Sequence, residues 1–303
     1  MSARVAFRYC EAADLAPFEA GLRAVEHAVT YPLDASGERF YVDHGAAYAR
    51  FFSAMGHARF FVAERAGAPV GLIAGVWKPV RVDGRERGAL YLGDLKLARE
   101  ERGLGLGARL MGAGLWQCAR RGHLGGVRFI FAAAMRDGGK DVRASFKGAH
   151  VGRVGRAYAT LDVYFAPADL LVALDGDGPT VPPGGAELSP RGAPQVVSTA
   201  GQKDLRLVST GAPWPLAHLP RGPAEWGRGL GDYLRRGASE ATTTQPGALC
   251  CFALDARLAD QRAWLAARGV TPGASAAVVG LATPLLSRAL ARAPWLHLAT
   301  SEI

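Results

Sequence analysis

A chain of 303 residues, 49% hydrophobic and 21% charged, can bury a sizeable core and divides more naturally into two domains than one. No apolar run reaches bilayer-spanning length and Met1-Ser-Ala-Arg-Val5 lacks an apolar leader, which predicts a cytoplasmic protein with no membrane partner. The formal charge of +9 sits on scattered Arg, not on a clustered basic and aromatic stripe, so a polyanionic small ligand or an acidic substrate is expected and nucleic acid is not. Cys10, Cys118, Cys250 and Cys251 have no metal-ligand spacing, so free thiols and no metal are expected.

Arg4–Tyr9 alternates as a strand, and Glu11–Leu15 leads into a helix with Leu15, Phe18, Leu22 and Val25 on one face. Tyr31–Asp34 reads as a loop, and Tyr48, Phe51, Phe52 and Met55 recur at helical spacing. Arg59–Glu64 and Val70–Trp77 flank a Gly/Pro turn and predict a hairpin. A second turn at Val82–Gly84 adds a third antiparallel strand, which contains Leu90, Leu92, Leu95 and Leu97.

That strand runs into Arg99-Glu-Glu-Arg102, charge that no core could hold unpaired, so the chain must turn. Gly103, Gly105 and Gly107 follow, and Ala108, Met111, Leu115 and Cys118 then recur at steps of three and four. A helix that starts on a glycine turn offers unpaired amides and a positive dipole end, so an anion is its natural guest, with Arg102 at the mouth. No Gly-Lys-Ser/Thr follows, which excludes a P-loop, and Gly-x-Gly-x-Gly departs from the dinucleotide fingerprint.

Leu97, four intervening residues, Arg102-Gly103-x-Gly105-x-Gly107 and an apolar helix resemble the acyl-CoA pyrophosphate loop of the GNAT superfamily of N-acetyltransferases. The resemblance implies an α/β (α+β) GNAT fold, a mixed central sheet splayed at this strand and flanked by helices. It implies acetyl-CoA or another acyl-CoA as cofactor, held by Leu95, Lys96, Leu97, Arg102, Gly103, Leu104, Gly105, Leu106, Gly107 and Ala108. It also places the acceptor site under His27–Gly56. The family often carries a tyrosine that protonates the departing thiolate. None stands near Asp141–Lys147 here, which leaves Ser145 or water to assist.

Leu92, Asp94 and Lys96 alternate onto one face of the strand, and a carboxylate on an otherwise apolar strand needs a reason. Asp94 is therefore the candidate general base, or else an ion-pair partner of Lys96 or a nearby Arg. Glu26, Asp34, Glu38, Asp43 and His44 compete with it from the acceptor side.

Val127–Ala134 is the next buried strand, expected beside the central one, followed by a short helix at Asp141–Lys147 and strands at Val151–Val154 and Ala157–Phe165. Leu174–Gly185, with Pro190 and Pro194, is Gly/Pro-rich and aperiodic, as a linker would be. Strand and helix patterns then restart: strands at Gln195–Ser198, Leu205–Ser209, Ala248–Ala253, Ala276–Leu281 and Trp295–Ala299, with helices near 224–236, 256–268 and 285–293. The expected organisation is a catalytic GNAT domain over 1–168, a linker over 169–195, and a smaller C-terminal α/β domain over 196–303. Ala248–Val270 is similar to a late strand and helix of a GNAT domain, and Trp226-Gly-Arg-Gly-Leu-Gly231 is a faint echo of the loop with no strand feeding it. The second half thus reads as a degenerate GNAT-like unit without its own CoA site.

The function these features imply is an N-acyltransferase that moves acetyl or another acyl group to a primary amine of a small molecule, amino acid or peptide by direct attack in a ternary complex. The alternative is a non-catalytic acyl-CoA-binding regulator or scaffold. A homodimer is compatible with either.

Overall fold

The computed structural model describes residues 4–32, 38–45, 47–136, 155–190, 204–214, 216–244 and 247–303. In the first half, β1 (Val5–Cys10) leads through a 3-10 turn at Ala12–Phe18 into α1 (Glu19–His27). Then come β2 (Thr30–Pro32), β3 (Arg39–Asp43), α2 (Tyr48–Met55), β4 (His57–Arg65), β5 (Ala68–Val82), β6 (Arg85–Leu97), α3 (Leu106–Arg120) and β7 (Val127–Met135). The second half runs β8 (Arg156–Pro167), α4 (Ala168–Val172), β9 (Ala186–Glu187), β10 (Asp204–Leu207), β11 (Leu216–His218), α5 (Leu230–Thr244), β12 (Leu249–Asp255), α6 (Ala259–Ala266), β13 (Pro272–Ala282), α7 (Pro284–Arg292) and β14 (Leu296–His297).

Both halves share one mixed sheet, ordered β1-β4-β5-β6-β7-β13-β8-β12-β11, with β9 beside β5 and β14 beside β9. β13 stands between β7 and β8, so the strand that follows β7 in space comes from far later in the chain. A second sheet, β10-β3-β2, joins the halves again. The expected meander is present in β4–β6, and the expected neighbour of the central strand is β7.

Period-two alternation sorts the first-half core onto two faces. Phe60 and Val62 of β4 and Leu72, Ala74 and Val76 of β5 pack with Leu22 of α1 and Tyr48, Phe51 and Phe52 of α2. Phe61, Ile73, Leu90 and Leu92 face the other way, onto Leu106, Leu110, Met111 and Cys118 of α3. Each such side chain, fully buried, stabilises by roughly 1.5–3 kcal/mol. Gly114 lets α3 approach closely, because a Cβ there would lie 2.7 Å from the Phe61 ring.

Several expectations differ in detail. β2 takes Tyr31 and Pro32 of the loop read at Tyr31–Asp34, of which residues 33 and 34 lie outside the described residues. It pairs with β3, which in turn pairs with β10, a partner roughly 160 residues away that no local pattern announces. Within the Gly/Pro-rich stretch, Ala186–Glu187 pairs with both β5 and β14, Leu188 N–H donates to His297 O at 2.8 Å, and Trp295 Nε1–H donates to Pro182 O at 2.8 Å. This described part is thus bonded into the body of the protein. Its composition forbids a helix but does not free the chain. The expected helix at Asp141–Lys147 and the strands at Val151–Val154 and Gln195–Ser198 lie outside the described residues. All four cysteines are buried and unbridged. Among the described residues no helix is long and apolar enough to cross a membrane.

Candidate active site

The site begins with an irregularity in β6. Its pairing with β5 slips between Ala74↔Gly93 and Leu72↔Lys96, so β6 carries one extra residue there, and Asp94 adopts φ 55°. A non-glycine residue in this region stores about 1 kcal/mol and needs support from its surroundings. On its other edge β6 pairs in parallel with β7 only over Gly88–Tyr91 and Val127–Phe131. Beyond that point β7 continues against β13 alone, from Ala132↔Val279 to Met135↔Ala276. The two central strands therefore separate at Leu92, and the bulge sits at the opening.

Past β6 the chain turns at Arg99–Glu101, where buried Glu101 takes Arg65 in a two-pronged ion pair at 2.7 and 3.0 Å. Gly103 and Gly105 hold φ 77° and 74°, and a Cβ on either would meet nothing within 4 Å, so the loop faces open space. Among the described residues, none of the amides from Gly103 to Ala108 donates to a backbone carbonyl outside α3. They converge at the positive end of a 15-residue helix. Arg102 turns away from this cradle: its guanidinium donates to Leu97 O at 3.0 Å and Ala28 O at 3.2 Å, tying the loop to β6 and to the end of α1.

Beside the bulge lies a buried polar cluster. Lys96 Nζ, 3% exposed, bridges Asp94 Oδ1 at 2.8 Å and Glu26 Oε1 at 3.0 Å. The Tyr48 hydroxyl donates to Asp94 Oδ2, and His44 Nδ1 donates to Glu26 Oε1. Burial pushes the Asp94 carboxyl up, but the Lys96 ammonium, His44 and the Tyr48 hydroxyl overcome it and hold it at about 2. Burial likewise opposes the charge on Glu26, and His44 with Lys96 holds its carboxyl below the usual range. The Lys96 ammonium is raised above its ordinary value despite burial, because two carboxylates face it. Burial and the Asp94 charge push the Tyr48 phenol well up, so it stays a donor.

A cavity of about 360 Å³ adjoins the opening between β6 and β7. Leu92, Asp94, Leu95, Met111 and Ala132–Met135 line it at the splay, His44, Phe51 and Phe52 on the α2 side. Its far wall belongs to the second half: Val163, Phe165, Leu216, His218, Cys251, Thr300, Glu302 and Ile303 contribute there. His218 Nδ1 lies 2.8 Å from Thr300 Oγ1, and Glu302 is fixed by Lys78 Nζ on its carboxylate and by the Tyr91 hydroxyl on its carbonyl.

A splayed parallel pair has a glycine cradle on one side and a cavity on the other, and the sequence that builds it, residues 27–143, matches the acetyltransferase (GNAT) family. The chain carries a GNAT acetyltransferase domain. Such a GNAT domain, with this cradle, supports acyl transfer from CoA. In overall fold the chain is similar to a tandem GNAT protein from the clavulanic acid biosynthesis pathway, at 14% identity, over 92% of this chain and 98% of that one, with a TM-score of 0.55. It is also similar to Saccharomyces cerevisiae N-myristoyltransferase bound to myristoyl-CoA, at 9% identity over 92% and 84% of the two chains, with a TM-score of 0.50. A GNAT acetyltransferase from Brucella melitensis in complex with acetyl-CoA aligns over 43% of this chain and 75% of that one at 25% identity, with a TM-score of 0.30. No curated protein matches the chain in sequence.

Of the residues singled out from sequence, Leu95–Leu97 lie along the opening and Gly103–Ala108 along the cradle, with Asp94 at the bulge, whereas the Arg102 side chain, expected at the mouth, is held by Leu97 O and Ala28 O instead. The Lys96 side chain points into the charged cluster, so only its backbone lies along the open edge of β6. Ser145 and Asp34 lie outside the described residues. Glu38 is half-buried and accepts from Ser209, while Asp43 pairs with Arg206 at 2.8 Å and His27 at 3.5 Å. Glu26 and His44 are the acceptor-side residues brought to the cluster. Glu26, His44 and Asp94 also put potential metal-ligand atoms within 4.8 Å of one another, but Lys96 already supplies a cation between the two carboxylates. No pattern along the chain marks Tyr48, His218, Thr300, Glu302 or Ile303 as site residues; they reach the site only through packing between elements remote in the chain.

Proposed function

We propose that the protein is an N-acyltransferase that moves acetyl or another acyl group from acyl-CoA to a primary amine of a small molecule, amino acid or peptide. The carrying observation is the continuity of three features: open amides at the start of α3, separation of β6 from β7 at Leu92, and a cavity entered from that separation. The amides of Gly103–Ala108 suit a pyrophosphate, and positive φ at Gly103 and Gly105 is what lets the backbone present them. The unpaired edge of Leu92–Leu97 suits an extended amide-bearing arm and supplies N–H donors for a developing oxyanion.

Acyl-CoA, when bound, supplies an activated thioester carbonyl. The chain's own contribution is to hold that carbonyl at the splay, to exclude water with the apolar walls of the cavity, and to present a proton acceptor from the cluster around Asp94, Glu26 and His44. The second half closes the acceptor side, so both halves are needed for a complete pocket. Direct attack is the economical route, because the open edge, the cavity and the proton acceptor adjoin one another.

The test is thiol release from acetyl-CoA across a panel of small amines, amino acids and peptides, with product masses. Amine-dependent release with acylated product supports the reading. Tight CoA binding with no transfer to any amine favours the non-catalytic alternative and overturns it.

A further inference from the structure

Two carboxylates and one ammonium are buried together in the cluster, and His44 adjoins them through Glu26. The ring is placed to accept a proton. His44 is 1% exposed and its Nδ1–H is held by the ionised Glu26 carboxylate, which leaves the lone pair on Nε2. The His44 backbone N–H also donates to Glu26 Oε2 at 3.3 Å, fixing the residue twice. Among the described residues Nε2 has no hydrogen-bond partner, and the ring lines the cavity. Around it pack Tyr48, Phe51 and Phe52, with ring centroids 4.9, 5.1 and 5.1 Å away, so the imidazole is seated in an aromatic wall. Asp94 is unsuited to that role, because Lys96 and Tyr48 occupy its oxygens and a carboxylate so well satisfied is a weak proton acceptor.

We propose that His44 is the general base for the acceptor amine, that Glu26 is the residue that positions and balances it, and that Asp94 serves to hold Lys96 and Tyr48; this rests on the N-acyltransferase reading above. As the amine nitrogen bonds to the acyl carbon, its N–H proton goes to His44 Nε2. The C–S bond breaks with its electron pair going to sulfur, and the proton passes on to that sulfur or to solvent. The products are an amide and a free thiol, with no oxidant or reductant required.

Other titratable groups face this assembly. Tyr48 comes from α2, Tyr31 from β2, Asp94 and Lys96 from β6, and Glu302 and His218 stand across the cavity. The experiment must therefore separate His44 from them. Rates against pH are measured for the wild type, His44→Gln, Glu26→Gln, Glu26→Asp and Asp94→Asn, with CoA affinity and thermal midpoint recorded for each. Nitrogen-15 NMR of the ligand-free wild type reads the ring directly.

His44→Gln is expected to keep CoA affinity, to lose about 100-fold or more in kcat/KM near neutral pH, and to lose the acid limb of the profile. Glu26→Gln should shift that limb, with Glu26→Asp restoring part of it. Asp94→Asn should retain it. In the NMR spectrum Nδ1 is expected to be protonated and Nε2 bare. A limb lost in Asp94→Asn and kept in His44→Gln overturns the assignment and leaves the acyltransferase reading standing. So does a ring protonated on Nε2 alone, or a His44→Gln enzyme with wild-type rate and profile. A wild type that binds CoA and acylates no amine overturns both.

Discussion

Two helices of this protein start after a run of alternating glycines, and only one start is open. At α3, Gly103 and Gly105 face space and, among the described residues, the amides up to Ala108 have no backbone partner outside the helix. At α5 the equivalent place is filled by the chain itself: Gly231 and Asp232 N–H donate to Asp177 O at 2.7 and 3.3 Å, and Leu230 N–H donates to Pro179 O at 3.2 Å. Arg235 secures that plug through Leu174 O, Gly176 O and Asp177 Oδ1. Glycine permits a backbone to come close to something. Which thing comes close, a ligand or a neighbouring segment, is decided by what the fold leaves in front of the helix.

Substitutions at the two starts should therefore separate cleanly. The largest effect is expected from Gly105→Val, where a β-branched residue is forced to φ 74° in the cradle. CoA affinity should fall at least about 100-fold, roughly 3 kcal/mol, with the circular dichroism spectrum retained. Unaltered affinity by calorimetry would break the comparison. Gly231→Val should do the converse. Its Cβ would lie 2.5 Å from Gly176 O and 2.9 Å from Trp264, so stability should drop by roughly 2 kcal/mol in urea unfolding while the folded protein binds CoA as before.

The third difference is in charge. Asp94 is held at about 2, below the ordinary carboxylate value, so the stability it confers is full above about pH 4 and disappears as pH falls through 2. Urea unfolding across that window should show a loss of about 2 kcal/mol in the wild type that Asp94→Asn does not share. The smallest effect is expected for Arg235→Ala. Removing the partly exposed clamp on the plug should cost about 1 kcal/mol of stability and leave CoA affinity as it was, and a gain of a second CoA per chain would show that the plug alone closes that site.

Local patterns were enough for much of the scaffold. Alternation in Arg59–Glu64 and Val70–Trp77, glycine turns, and the helical spacing from Ala108 to Cys118 identify elements because each rests on contacts within a few residues. The cradle was legible for the same reason: a strand, a turn and a helix start are one continuous stretch. The charged cluster was half legible. Asp94 stood out as a carboxylate on an apolar strand, and Glu26 and His44 were named from their region, yet nothing local told that Lys96 would join Asp94 to Glu26 or that Tyr48 would turn from core packing to Asp94.

The sequence by itself thus determined the GNAT-like loop and the central strand that feeds it, whereas the short strand β11 that precedes Trp226–Gly231 and pairs in parallel with β12 corrects the expectation that no strand stands before that echo. Tertiary structure alone decided three other matters: that β13 stands beside β7, that the described Gly/Pro stretch is bonded between β5 and β14, and that Thr300, Glu302 and Ile303 reach a cavity whose entrance is roughly 200 residues earlier. The physical reason is range. Helix starts, turns and alternation are set by neighbours along the chain, whereas strand order and buried ion pairs depend on which distant surfaces can satisfy one another's hydrogen bonds and charges once water is gone.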